Sequence, residues 1–173
     1  MRSIAYAAIL LAACSDDPQQ QLIDASTTDA PYDVARCLIT GHYGALGTKT
    51  GMATQGPTTS TIVLDGGPPR DSFFLKLNTG KGVFASQLAN GTYTLAGADL
   101  DFSNCGLCVN IIADIVSMQG PTKFYFADAG AVTLTGTSPP AGTLSNVTFK
   151  EVTSGGAPVS GGCVASITSM TFN

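Results

Sequence analysis

Ser72-Phe73-Phe74-Leu75-Lys76-Leu77-Asn78 changes character at every second residue, and this alternation decides the fold class. Phe73, Leu75 and Leu77 fall on one face while Phe74, Lys76 and Asn78 fall on the other, the pattern of a strand with one side against a core. The period of two recurs outward along the chain. Leu107, Val109, Ile111, Ala113 and Ile115 share a face, with Asn110 and Asp114 opposite. An Asn90-Gly91 turn signal precedes a short strand over 92–95, and a last strand is expected over 163–172 after the Gly155-Gly156 and Gly161-Gly162 turns. Phe124 and Phe126 alternate with Tyr125, and Val132 and Leu134 with Thr133 and Thr135. Asp128-Ala129-Gly130 between them predicts a hairpin. Leu144, Val147, Phe149 and Val152 do not share one parity, which places a bulge near Ser145-Asn146.

With further strands over 36–40 and 61–64, the expectation is an all-β domain of about eight or nine strands, an antiparallel β-sandwich or barrel-like fold tied by disulfides. Composition agrees. The chain has 173 residues, enough for one domain, with 20 Gly and 9 Pro in short clusters suited to tight turns. Only 12% of residues are charged and 44% are apolar, which is not the signature of disorder.

The net charge of −4 is unevenly spread. Between residues 14 and 35 stand Asp16, Asp17, Asp24, Asp29 and Asp33 with no Lys or Arg, so this stretch reads as a self-repelling, extended tether. From Arg36 onward, bases and acids balance. A neutral domain on an acidic tether offers no basic patch in the sequence to neutralise phosphates, so nucleic acid is not an expected partner.

At the N-terminus, Arg2 precedes an apolar run over 4–13, and Leu11-Ala12-Ala13-Cys14 leads into Ser15-Asp16-Asp17-Pro18. The run is far shorter than the roughly 20 residues of a spanning helix and reads as an export signal. Leu11-Ala12-Ala13-Cys14 resembles the bacterial lipobox. That resemblance implies cleavage after residue 13, acylation of Cys14 and a membrane-anchored mature protein. Ser15, in place of the Asp that retains many enterobacterial lipoproteins at the inner membrane, points to the outer membrane or cell surface. The expected organisation is a signal peptide over 1–13, a lipidated acidic tether over 14–35 and a β-domain over 36–173.

If Cys14 carries lipid, Cys37, Cys105, Cys108 and Cys163 remain, an even number in an exported chain. Four cysteines allow three pairings. Cys105-Gly106-Leu107-Cys108 can close locally because Gly106 tolerates a tight loop, leaving Cys37 with Cys163. The latter bridge would close about 127 residues, an effect on the order of 5 kcal/mol in the chain-entropy model. A redox role for the Cys105/Cys108 pair would need a helix N-terminus, and a four-Cys zinc site a second close pair. Neither is evident.

Candidate chemistry is sparse. His42 is the single histidine, and no Gly-x-Ser-x-Gly elbow accompanies it. Asp99, Asp101 and Asn104 form the best local set for a hard cation such as Ca²⁺, without the longer ligand series of a calcium loop. Solvated loop acids are the plainer reading. Asn90 and Asn146 begin glycosylation sequons, which in a bacterial lipoprotein usually carry no meaning. Tyr93, Phe102, Tyr125 and Phe149 are candidates for an aromatic sugar platform, against the plainer reading as core.

From about Phe73 onward, Gly91-Thr92-Tyr93-Thr94-Leu95, Cys105-Gly106-Leu107-Cys108-Val109 and the run from Gly142 to Phe149 resemble small surface lipoproteins present in multiple copies in some Gram-negative genomes. The resemblance implies architecture and no activity. The expected role is therefore a non-enzymatic envelope protein without a cofactor, whose domain binds a glycan or protein ligand or coats the surface. Two alternatives stand beside it. A polymer hydrolase would need Asp99 or Asp101 facing a second carboxylate or His42. An envelope assembly factor would need an exposed apolar patch near an edge strand.

Overall fold

The computed structural model describes residues 43–66, 69–116 and 120–173. Eight strands occur among them: β1 (Ala45–Lys49), β2 (Thr59–Asp65), β3 (Arg70–Leu77), β4 (Gly91–Thr94), β5 (Leu107–Ile115), β6 (Lys123–Thr137), β7 (Pro140–Val152) and β8 (Val164–Phe172). Short 3-10 turns at Gly82–Phe84 and Gly97–Leu100 interrupt them. The expected strand over 36–40 lies outside the described residues.

The strands form one sheet in the order β1-β8-β7-β6-β5-β3-β2, and β4 pairs with the distal half of β6 beyond β5. The sheet curls until its ends nearly meet. Just past β1, Met52 and Thr61 of β2 exchange backbone hydrogen bonds of 3.0 and 2.9 Å, and the Gly51 N–H donates to Asn173 O at 2.7 Å. A barrel leaves little free edge for unwanted pairing. All pairs are antiparallel except β1 with β8, which run parallel. The expected all-β, barrel-like and mainly antiparallel architecture is present, with this one parallel pair in it.

The alternation read from the sequence sorts inside from outside. Phe73, Leu75, Leu107, Val109, Ile111, Tyr125, Val147, Phe149, Ile167 and Phe172 are buried in the barrel core. Each such side chain contributes roughly 1.5–3 kcal/mol through removal from water. Ile115 departs from the expected face. Asp114 adopts φ 55°, and two residues of β5, Ala113 and Asp114, stand opposite one of β3, Asp71, between Ile112 and Ile115, so the bulge breaks the alternation.

The hairpin expected at Asp128-Ala129-Gly130 is absent. β6 runs unbroken through it, and Gly130 at φ 118° sits in a bulge where an added Cβ would lie 2.6 Å from Val147 Cα. The glycine bends a long strand and does not end it. The chain turns instead at Ser138-Pro139, and β6 with β7 forms the longest ladder in the sheet. The bulge near Ser145-Asn146 is present: Ala131 pairs with Ser145 and Ala129 with Thr148, and Asn146 has φ 47°.

Candidate functional site

The outer face of β2, β3, β5 and β6 is ordered by cross-strand register. Thr61 pairs with Phe74, Phe74 with Asn110, and Asn110 with Phe126. One row nearer the Cys105-Gly106-Leu107-Cys108 loop, Lys76 pairs with Cys108. One row further away, Ile112 pairs with Phe124. Alternation that buries Phe73 and Leu75 therefore also presents Phe74, Lys76 and Asn110 together on the opposite side.

Two adjoining hollows follow this face. The apolar one, about 180 Å³, is lined by Phe74, Phe102, Ile112, Phe124 and Val152 with Gln55, Asn110, Thr153 and Ser154 at its margins. The polar one, about 290 Å³, shares Gln55, Phe74, Phe102 and Asn110 and adds Lys76, Asn78, Lys81 and the two cysteines. They form one groove with an aromatic part and an amide- and lysine-bearing part.

Phe102 is its most distinctive side chain. The residue is 42% exposed yet held from two sides. It meets Phe126 edge-on with centroids 5.6 Å apart, and Gly156 approaches so closely that an added Cβ would lie 2.4 Å from Phe102 Cβ. Phe126, Val152, Cys105 and Cys108 form a small apolar cluster beneath the groove, separate from the barrel core. An exposed aromatic ring with fixed orientation loses little freedom when a flat ligand stacks on it.

The polar end is built around Asp99. Its carboxylate is buried and accepts hydrogen bonds from the Gly106 and Leu107 N–H groups at 2.8 and 2.9 Å and from the Val83 N–H at 3.1 Å. These bonds join both 3-10 turns to the start of β5. Cys105 and Cys108 are disulfide-bonded with Cα atoms 5.2 Å apart. The Asn78 side-chain amide donates to Cys105 O at 3.0 Å and to Cys108 Sγ at 3.1 Å, and Lys81 Nζ donates to Ser103 O at 2.6 Å. Gly106 lets the turn come this near, since a Cβ there would lie 2.2 Å from Lys81 O.

The structure thus separates the residues grouped as a cation set. Asp99 faces inward and is occupied by backbone donors. Asp101 is exposed, accepts from the Asn104 side chain at 2.8 Å and from the Ser103 N–H at 2.8 Å, and is held below the usual carboxylate range mainly by that Asn104 bond. Asp101 and Asn104 stay together as a turn closure. No group of three or more His, Cys, Asp or Glu side chains able to hold a metal occurs among the described residues.

The proposed aromatic platform is corrected. Tyr125 and Phe149 are core residues, and Tyr93 packs edge-on against Phe84 at 5.1 Å while donating to Ala89 O at 2.8 Å. Of the four, Phe102 alone presents its ring to the groove, joined by Phe74 and Phe124, which sequence reasoning had not grouped. Cys14, Cys37 and His42 lie outside the described residues. Cys163 is buried and disulfide-bonded.

A second polar cluster was not anticipated. Asp71, Asp114, Lys123 and Glu151 are all buried at one end of the barrel. Asp71 accepts from Tyr43 Oη at 2.8 Å and from the Asp114 N–H at 2.9 Å. Lys123 Nζ is 3.7 Å from Asp114 Oδ2, and Glu151 accepts from the Cys163 N–H at 2.8 Å. Burial pushes the Asp114 carboxyl above the usual range, against the pull of Lys123. Burial also raises the Tyr43 hydroxyl, aided by its bond to Asp71. This layer knits strand ends and loop backbone.

No family model matches the chain, and no curated protein or solved structure matches it. The groove offers stacking, planar amides, hydroxyls and ammonium groups, and among the described residues no carboxylate belongs to its lining. Such a surface can hold a ligand.

Proposed function

We propose that the chain is an exported protein, lipid-anchored through Cys14 at the outer membrane or cell surface, whose barrel acts as a non-enzymatic glycan-binding module. The anchor rests on Leu11-Ala12-Ala13-Cys14 and the acidic stretch after it. Two acyl signals or more give stable attachment, each buried CH₂ contributing about 0.8 kcal/mol.

One observation carries the binding reading: Phe102 is held edge-on by Phe126 yet keeps its ring open to a groove margined by Gln55, Asn78 and Asn110. Sugars present apolar ring faces and equatorial hydroxyls together, and an aromatic ring beside amide groups matches both. The test has two parts. Intact mass of protein extracted from native membranes should give a diacylglyceryl-modified chain beginning at Cys14; an unmodified chain refutes the anchor. A glycan array probed with wild type and Phe102→Ala should give signals that the variant loses. An array without signal, or signals unchanged by the substitution, refutes the groove reading.

A further inference from the structure

We infer that the groove selects an acidic glycan, a chain bearing uronate-type carboxylates, an inference that rests on the glycan-binding reading above. The sequence is acidic overall, but folding sorts its charges unequally. Of the seven acidic side chains among the described residues, Asp71, Asp99, Asp114 and Glu151 are buried, whereas of the six basic ones only Lys123 is. Three acids against five bases remain toward water, so the exposed charged side chains among the described residues are cationic on balance. The sequence balance conceals this.

The excess is placed where a ligand would feel it. Lys76 stands on the outer face of β3 directly across from Cys108, and Lys81 is held above the same end of the groove by its bond to Ser103 O. Both line the polar hollow, and no acid among the described residues does. Asp101, held below the usual carboxylate range chiefly by its Asn104 bond and least by Lys81, keeps its negative charge beside that lysine but is tied into its own turn by Asn104 and Ser103 and does not line the hollow. A sugar ring stacked against Phe102 or Phe74 would bring a carboxylate on a neighbouring residue toward the two ammonium groups. Exposed charges of this kind act chiefly on selectivity and association, and salt screens them. A nucleic acid is less well served. Phosphate tracking requires a series of cationic contacts along the strand, and here the lysines are confined to one end beside an apolar floor.

The experiment titrates the full chain with oligogalacturonate, with a dextran oligosaccharide of equal length and with a single-stranded oligonucleotide, at low and high salt. The variants are the double substitution Lys76→Gln/Lys81→Gln and Phe102→Ala, with circular dichroism to check the fold. Wild type is expected to bind oligogalacturonate at least tenfold tighter than dextran at low salt. The lysine variant should lose that preference, its affinity for oligogalacturonate falling to its own affinity for dextran, and Phe102→Ala should weaken both sugars. Equal affinity for the two sugars in wild type, or a preference that survives Lys76→Gln/Lys81→Gln, overturns the acidic-glycan inference. If Phe102→Ala still weakens dextran in that case, the glycan reading stands by itself. Binding of neither sugar overturns both, as does tighter, Phe102-dependent binding of the oligonucleotide.

Discussion

The ring of Phe102 meets that of Phe126 edge-on at 5.6 Å, tying the loop before β5 to the outer face of β6. Phe126 is buried and Phe102 is not, so one ring supports while the other remains available. An edge-on pair of this kind contributes about 0.5–1.5 kcal/mol beyond its area. Phe102→Ala should therefore lower stability by about 1 kcal/mol in urea unfolding while reducing glycan binding at least tenfold. A stability loss with unchanged binding would make Phe102 a packing residue only.

Tyr43 closes the polar end of the barrel through its bond to Asp71. Tyr43→Phe keeps the ring and removes the donor, leaving one oxygen of a buried carboxylate without that partner. Bonds to charged groups are typically worth about 1.5–3 kcal/mol, and urea unfolding should report a loss in that range. A neutral substitution would show that water replaces the hydroxyl at no cost.

Asp114 gives a pH signature. Its pKa is raised in the folded state, chiefly by burial, so the folded chain retains its proton where the unfolded chain has lost it. The stability contributed by this group is fully present below the ordinary carboxylate pKa near 4 and is lost as pH rises through the raised value. Asp114→Asn cannot titrate. The difference in melting temperature, wild type minus Asp114→Asn, should therefore be more positive at pH 4 than at pH 7. A difference that is flat or of opposite slope contradicts the assignment.

Asp99 and the neighbouring disulfide hold the polar end of the groove. Asp99→Ala strands the buried N–H groups of Gly106 and Leu107 together with that of Val83. A loss of roughly 3 kcal/mol or more is expected, since each unsatisfied buried donor costs about 1–3 kcal/mol. Replacing both Cys105 and Cys108 by Ser should cost about 2 kcal/mol, because the chain-entropy term for so short a loop is small. Thermal unfolding of the two variants should rank them in that order, and the reverse ranking would place the disulfide first.

Much of the fold was legible because a half-buried strand advertises itself by alternation. Phe73, Leu75 and Leu77 face the core as read, and the odd parity around Asn146 did mark a bulge. Asp128-Ala129-Gly130 misled because a glycine with positive φ serves a bulge as well as a turn, and local sequence does not distinguish the two. The parallel pairing of β1 with β8 joins segments far apart in the chain, which periodicity does not encode.

The sites were harder to read. Asp71, Lys123 and Glu151 share parity with the core residues Phe73, Tyr125 and Phe149, so alternation does carry the signal that they point inward. Composition instead suggests solvated charges. Asp99 resembled a loop ligand because its three backbone donors are invisible in sequence. The groove unites Gln55, Phe74, Phe102 and Asn110, and only register and loop packing bring these together.

The most direct test of the binding account is a two-dimensional amide NMR titration of ¹⁵N-labelled protein with oligogalacturonate. The account predicts the largest shifts at Phe74, Lys76, Phe102 and Asn110, with Tyr43 and Asp114 at the barrel end little changed. Shifts centred on Tyr43, Asp71 and Asp114, or no shifts at saturating oligosaccharide, would contradict it.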